Sequence, residues 1–186
     1  MKKLVVISAP SGAGKTTLCQ RLLSEFPQLC LSISSTTRAP RGQEVNGREY
    51  HFLTAEQFKA QIDAGRFAEW AEVFGRYYGT SKDTLEAVFA QNRAVLLDID
   101  ILGAEQLRRA YPDEILRVFI APPAFEVLGQ RLRARGTETE EKIQERLARA
   151  RRELDASAQF DHVIVNDDLE RAYGELRAIV APAVGG

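Results

Sequence analysis

An apolar run, Leu4 to Ile7, passes through Ser8 into Ala9-Pro-Ser-Gly-Ala-Gly-Lys-Thr-Thr17, after which Leu18, Cys19, Leu22, Leu23 and Phe26 recur at helical spacing. Apolar strand, glycine-bearing loop and amphipathic helix in immediate succession describe a phosphate-binding loop at the end of a buried strand. Holding a triphosphate requires backbone N–H groups at close range, and a glycine-rich turn opening a helix supplies them. Gly12 and Gly14 allow the approach, Lys15 is placed to reach β- and γ-phosphates, and the Thr16 hydroxyl is placed to ligand Mg²⁺. The usual pattern begins with glycine. Ala9 stands there in this chain and serves equally if its φ stays negative.

Further along, apolar runs of strand length recur at Leu29 to Ile33, Ala94 to Leu97, Ile115 to Ile120 and His162 to Val165, most of them separated by helical patterns. Strand alternating with helix predicts a parallel sheet covered on both faces. Thr54 with Gln57 forms a capping box ahead of Phe58 and Ile62. Ser81 caps a segment carrying Leu85, Val88 and Phe89, and Ile143, Leu147, Ala150 and Leu154 make one stripe. Two stretches depart from the alternation. Residues 34–80 are rich in Arg, Gly, Tyr and Glu with short strand-like pieces, predicting an inserted lobe of mixed structure. Seven arginines fall between Arg131 and Arg152, with Gly136-Thr-Glu-Thr-Glu-Glu141 supplying a turn, a cap and acidic first-turn residues, which predicts a helical hairpin.

With 186 residues, 45% hydrophobic and 27% charged, the chain is expected to form one core with small inserted lobes. No apolar run approaches bilayer length, and the apolar stretch after Met1-Lys-Lys turns into the loop too soon for a signal peptide, so a cytoplasmic protein without membrane partners is expected. A net charge of -1 offers no bulk attraction to nucleic acid. Cys19 and Cys30 are read as buried reduced thiols, and His51 and His162 as structural.

Several clusters bear chemistry but admit two readings when taken alone. Arg38 and Arg41, after a core strand, fit a phosphate site or a pair of solvated arginines. Glu69 beside Trp70 reads most simply as a strand residue facing solvent next to a core aromatic. Asp98 and Asp100 could hold a metal-bound water or a substrate, although aspartates often end strands. Arg131, Arg135 and Arg146 could meet a phosphoryl group or form a salt-bridged hairpin with Glu138, Glu140, Glu141 and Glu145.

Taken in order, Ala9-Pro-Ser-Gly-Ala-Gly-Lys-Thr16, Ser34-Ser-Thr-Thr-Arg-Ala-Pro-Arg41, Gly47-Arg-Glu-Tyr50, Glu69-Trp-Ala71, Tyr77-Tyr-Gly-Thr80, Leu97-Asp-Ile-Asp100 and Val165-Asn-Asp-Asp168 resemble the guanylate kinase family over essentially the whole chain. The resemblance implies an α/β fold: a three-layer P-loop NTPase core with a parallel sheet, an inserted mixed α/β GMP-binding lobe and a helical lid. In this sequence these are the core at 1–33, 81–130 and 157–186, the lobe at 34–80 and the lid at about 131–156.

The activity it implies is transfer of the γ-phosphoryl group of ATP to GMP, and to dGMP, with Mg²⁺ as cofactor. ATP is expected at Ala9, Pro10, Ser11, Gly12, Ala13, Gly14, Lys15, Thr16 and Thr17, with Asn166 and Asp167 on the adenine side and Thr16 on the metal. GMP is expected at Ser34, Arg38, Arg41, Tyr50, Glu69, Tyr78, Gly79 and Thr80, with Asp98 and Asp100 near it. The catalytic charges are expected to be Lys15, Arg41, Arg135 and Arg146. Guanine offers N1–H and an amine as adjacent donors, which suits the Glu69 carboxylate, whereas adenine leaves it unpaired. The family usually has Gln before Gly103, where this chain has Leu102 after Ile101, so a polar contact behind the site is expected to be missing. A catalytically silent phosphopeptide-binding module and a sugar-phosphate kinase are the competing functions. The intact loop argues against the first, and Ser34, Glu69 and Thr80 together argue against the second. The oligomeric state, monomer or homo-oligomer, is left open.

Overall fold

The sheet that carries the loop is built from strands buried on both faces. In a computed structural model describing residues 2–134, 136 and 139–185, β1 (Leu4–Ser8) leads to α1 (Lys15–Glu25) and β2 (Leu29–Leu31). The sheet is completed by β7 (Ala94–Asp98), β8 (Ile115–Ala121) and β9 (His162–Val165) in the order β2-β7-β1-β8-β9, all pairs parallel. These are the five strands expected from the apolar runs. The second ends two residues early, at Leu31, although the Ser32 N–H still bonds to Leu96 O at 2.9 Å. Val5 and Ile7 of β1 pack toward α1 and α7 (Leu169–Val184), while Leu4 and Val6 pack toward α3 (Lys82–Phe89) and α4 (Ile101–Ala110). Alternating side chains thus make two cores from one strand and dictate three layers.

Between β2 and α3 the chain forms a second sheet from β3 (Ser35–Thr36), β4 (His51–Phe52), β5 (Phe67–Val73) and β6 (Arg76–Ser81), in the order β4-β3-β6-β5. Helix α2 (Ala55–Asp63) covers it. Both halves of its capping box are present: Thr54 Oγ1 accepts from Gln57 N at 3.1 Å, and Gln57 Oε1 accepts from Thr54 N at 2.9 Å. Phe58 is fully buried and stacks on Phe67 at 4.3 Å and on Tyr77 at 5.4 Å between ring centroids. After β8, α5 (Phe125–Ala134) and α6 (Glu140–Asp155) form the expected hairpin, with Leu128, Leu147 and Ala150 in the larger core cluster. Arg135, Thr137 and Glu138 lie outside the described residues.

Two expectations need adjustment. Cys19 is buried, and burial pushes its thiol up to about 12. Cys30 is only half-buried, because β2 is an edge strand with one flank open. His162 is exposed on the opposite edge strand, so it is no core residue.

The second sheet has its own small aromatic core, which makes its stability separable. Phe58→Ala is expected to cost about 3–5 kcal/mol and to speed amide exchange across residues 51–81, with β1, β7 and β8 still protected. Equal acceleration in both sheets would show that they unfold as one unit.

Candidate active site

Four helices begin under side-chain caps: α2 with Thr54, α3 with Ser81, α4 with Asp100 and α7 with Asp168. Helix α1 does not. Its N-cap is Gly14 at φ +92, no side chain caps it among the described residues, and its first turn carries no acidic residue. Its free N–H groups and the positive end of its dipole are left for an anion. Gly12 has φ +94, whereas Ala9 is not among the positive-φ residues, so an alanine suits the first loop position. Behind the loop, the buried Asn166 amide donates to Ala13 O at 2.7 Å and crowds the space beside Gly14. Arg131 Nη1 donates to Gly12 O at 3.1 Å.

The loop opens on a cleft of about 500 Å³ at the carboxyl ends of β1 and β7, next to the point where strand order reverses around β1. Asp98 is level with Ile7 in the sheet, and its carboxylate forms an ion pair with Lys15. Ser8 Oγ donates to Ile99 O at 2.8 Å and fixes the turn that follows. Asp100 spends both oxygens. Oδ1 accepts from Gly103 N at 2.9 Å, and Oδ2 accepts from Arg149 Nη2 at 2.9 Å.

On the lobe side, Tyr50 and Tyr78 face each other edge-on at 6.2 Å. Arg38 lies over the Tyr50 ring and is gripped by Glu44 through two hydrogen bonds of 2.9 Å. That guanidinium, with the Arg41 N–H bound to the same carboxylate at 2.7 Å, holds the Glu44 carboxyl below its ordinary range. Arg41 is exposed nearby.

The deepest polar group in the cleft is Glu69, only 3% exposed. A register shift between Phe67 and Glu69 sets Glu69 directly across from Thr80 on β6, so both side chains stand on one face. Thr80 is 0% exposed, and Glu69 Oε1 and Thr80 Oγ1 each lack a hydrogen-bond partner of proper geometry. Next to Thr80, Gly79 has no room for a side chain: a Cβ there would stand 2.9 Å from Glu69 O, 3.0 Å from Trp70 Cβ and 3.1 Å from Phe58 Cζ.

The far wall of the cleft is α6. Arg146 Nη1 donates to Ser11 Oγ at 3.2 Å, and Arg149 Nε donates to the buried Glu153 at 2.7 Å. Both guanidinium groups sit near the Phe74 ring, at 5.4 and 5.5 Å. Phe74 and Gly75 form the two-residue β5–β6 turn, both at positive φ, a costly conformation for Phe74.

A model of the family described as guanylate kinase matches residues 1–183. The chain belongs to the guanylate kinase family. The guanylate kinase of Nitratidesulfovibrio vulgaris (strain Hildenborough) is 54% identical over 175 residues, 94% of this chain and 84% of that protein. The guanylate kinase of Maricaulis maris (strain MCS10) is 50% identical over 177 residues, 95% of this chain and 81% of that protein. The crystal structure of guanylate kinase from Anaplasma phagocytophilum superposes with a TM-score of 0.79 at 30% identity, spanning 100% of this chain and 87% of the other.

Most of the residues singled out from sequence for this family line the one cleft: the loop from Ala9 through Thr17 apart from buried Ala13, then Ser34, Tyr50, Glu69, Tyr78 and Gly79, and Asp98, Asp100 and Arg146. Asn166 and Asp167 line an adjoining groove with Gly12, Gly14 and Arg131. Asp167 is ion-paired with Arg171. Glu69 does not face solvent, as its position beside Trp70 first suggests, because the bulge and α4 enclose it. Sequence reasoning passed over Arg149, Glu153, Phe74 and Glu44. Arg149 and Glu153 could have been found as an i, i+4 pair one turn beyond Arg146. Leu102, the residue before Gly103, is 59% exposed beside Phe74 and α6.

Burial pushes the Glu69 carboxyl up from 4.5 to about 7, with nearby Thr80 tempering the rise and Asp100 adding to it. The folded protein therefore holds this proton through a pH range in which the unfolded chain has released it. Stability is fullest at low pH and falls as pH rises through that range. Glu69→Gln is expected to remove a loss on the order of 3 kcal/mol between pH 5 and pH 8, measured by denaturant melts. Matching slopes in the two proteins would assign the pH dependence elsewhere.

Proposed function

We infer that the cleft is where the two nucleotides of the guanylate kinase reaction meet. The chain is an ATP:GMP phosphotransferase. The observation that carries the assignment of the site is the pairing of opposite chemistries in one cavity. Uncapped helix amides with Lys15 line one part of it and a buried acceptor, Glu69, lines another, with Thr80 buried opposite Glu69 on β6.

In this reading the ATP phosphates lie on the loop from Ala9 to Thr17, with Lys15 exchanging Asp98 for phosphate, and the adenine side is taken by Asn166 and Asp167. The GMP phosphate is met by Arg38, Arg41, Tyr50 and Tyr78. Guanine is read by Ser34, Glu69 and Thr80, the carboxylate accepting from N1–H and the amine. The attacking GMP phosphate oxygen is already anionic, so no general base is needed, and the protein supplies position and charge. Lys15, Arg41 and Arg146 bring positive charge to the transferring group, and Arg135, outside the described residues, joins them on sequence grounds. Residues 131–156 act as the lid that excludes water.

Mg²⁺ fits the donors present. Thr16 opens α1 as an exposed hydroxyl at the cleft, with the Asp98 carboxylate close to neighbouring Lys15. Among the described residues no three acidic, His or Cys side chains form a cage. An ion that takes most of its ligands from phosphate and water requires none. Thr16 would hold the ion, which when bound neutralises charge on the phosphates.

A coupled assay with ATP and each nucleoside monophosphate tests the base assignment. GMP is expected to exceed AMP in kcat/KM by about four orders of magnitude, as a site with a buried unpaired acceptor discriminates; equal turnover would reject Glu69 as the reader. Lys15→Ala is expected to lower kcat about 100-fold or more with little change in KM for GMP, and near-normal kcat would remove Lys15 from the transition state.

A further inference from the structure

Helix α4 shapes the base end of the cleft from behind. Gly103, in its first turn, is buried and has no positive φ, so its backbone conformation is open to any residue. A helix favours alanine over glycine. What excludes a side chain here is space. A methyl on Gly103 would overlap Glu69 Oε2, and would stand 3.1 Å from Glu69 Cδ and 3.3 Å from Ile99 Cδ1. The Glu69 carboxylate thus rests against the bare Cα of Gly103.

Two flanking contacts hold this arrangement in register. Asp100 Oδ1 accepts the Gly103 N–H at 2.9 Å, fixing the start of α4. One turn on, Gln106 Nε2 donates to Trp70 O at 2.7 Å and Gln106 Oε1 accepts from Trp70 N at 3.1 Å. The amide therefore stitches β5 to α4 at the residue next to Glu69. We propose that Gly103 is a specificity-determining position of the phosphotransfer reaction. The missing side chain sets how deep the Glu69 carboxylate sits, and so whether both of its oxygens meet the guanine edge, with Gln106 as the positioning residue that keeps β5 in place. This rests on the reading of Glu69 as the guanine acceptor.

A methyl at Gly103 can be accommodated most cheaply by moving the end of the Glu69 side chain. In-plane pairing with two adjacent donors does not survive a carboxylate shifted by about 1 Å. The test is a double-mutant cycle of Gly103→Ala and Glu69→Ala, read by steady-state kinetics, GMP titration calorimetry and thermal melts. In the Glu69-containing protein, Gly103→Ala is expected to raise KM for GMP at least about tenfold, with KM for ATP changed less than about twofold. In the Glu69→Ala background the same change is expected to alter GMP affinity less than about twofold, because the group it displaces is gone.

GMP affinity unchanged by Gly103→Ala alone would overturn the role of Gly103, and equal penalties in both backgrounds would overturn the route through Glu69. If Glu69→Ala itself left GMP affinity intact, the base assignment would fall and the proposal with it. Should Gly103→Ala fail to fold, recovery of folding in the double variant would establish the same contact, and failure of both would reject it.

Discussion

Positive charge gathered around one cleft must be held by partners from the protein itself, and much of this site follows from that constraint. Lys15 rests on Asp98, Arg38 on Glu44, and Arg149 on Asp100 and Glu153. Two of these carboxylates come from a distant part of the chain, so their pairs also tie elements together: Asp98 joins α1 to β7, and Asp100 joins α6 to the start of α4. On the proposed reading, nucleotide arrival at Lys15 is a change of partner and not the filling of bare charge. Part of the Coulomb gain is offset, and the approach is left selective for groups that outbid a carboxylate.

The Glu69 end of the cleft follows the opposite rule. Around Glu69 and Thr80 the protein buries polar atoms without matching them, which works against stability of the free protein. Such a mismatch persists only where the surroundings enforce it. Here they do: the register shift in β5 and the close approach of Gly103 on α4 hold the carboxylate in place, while the stacked aromatics around Phe58 support β5 and β6.

How much could be read from sequence depended on range. The loop, the five core strands, the Thr54 capping box and the Ser81 cap are set by residues within a few positions of one another, and periodicity or spacing reveals them. The family motifs carried most of the cleft lining. The enclosure of Glu69 was invisible, because alternation along β5 does not report a bulge and nothing near Glu69 in sequence names Gly103, thirty-four residues later, as its neighbour. Arg149 was lost among other arginines whose pattern also suits a solvated helix. Only the contact with Asp100, forty-nine residues away, separates it from them. Phe74 ran against turn chemistry, since a two-residue hairpin at positive φ favours Asn or Gly at that place.

The carboxamide of Gln106 has one more effect. β5 is the outer strand of its sheet, and an outer strand with open N–H and C=O groups is a template on which another chain can add. Gln106 presents a donor and an acceptor to Trp70, at the centre of that strand, much as a neighbouring peptide group would. An incoming strand would find the middle of the row already taken and a helix standing over it. One side chain therefore guards the small sheet against edge-to-edge aggregation, without the lysine, proline or extra strand that proteins more often use for that purpose.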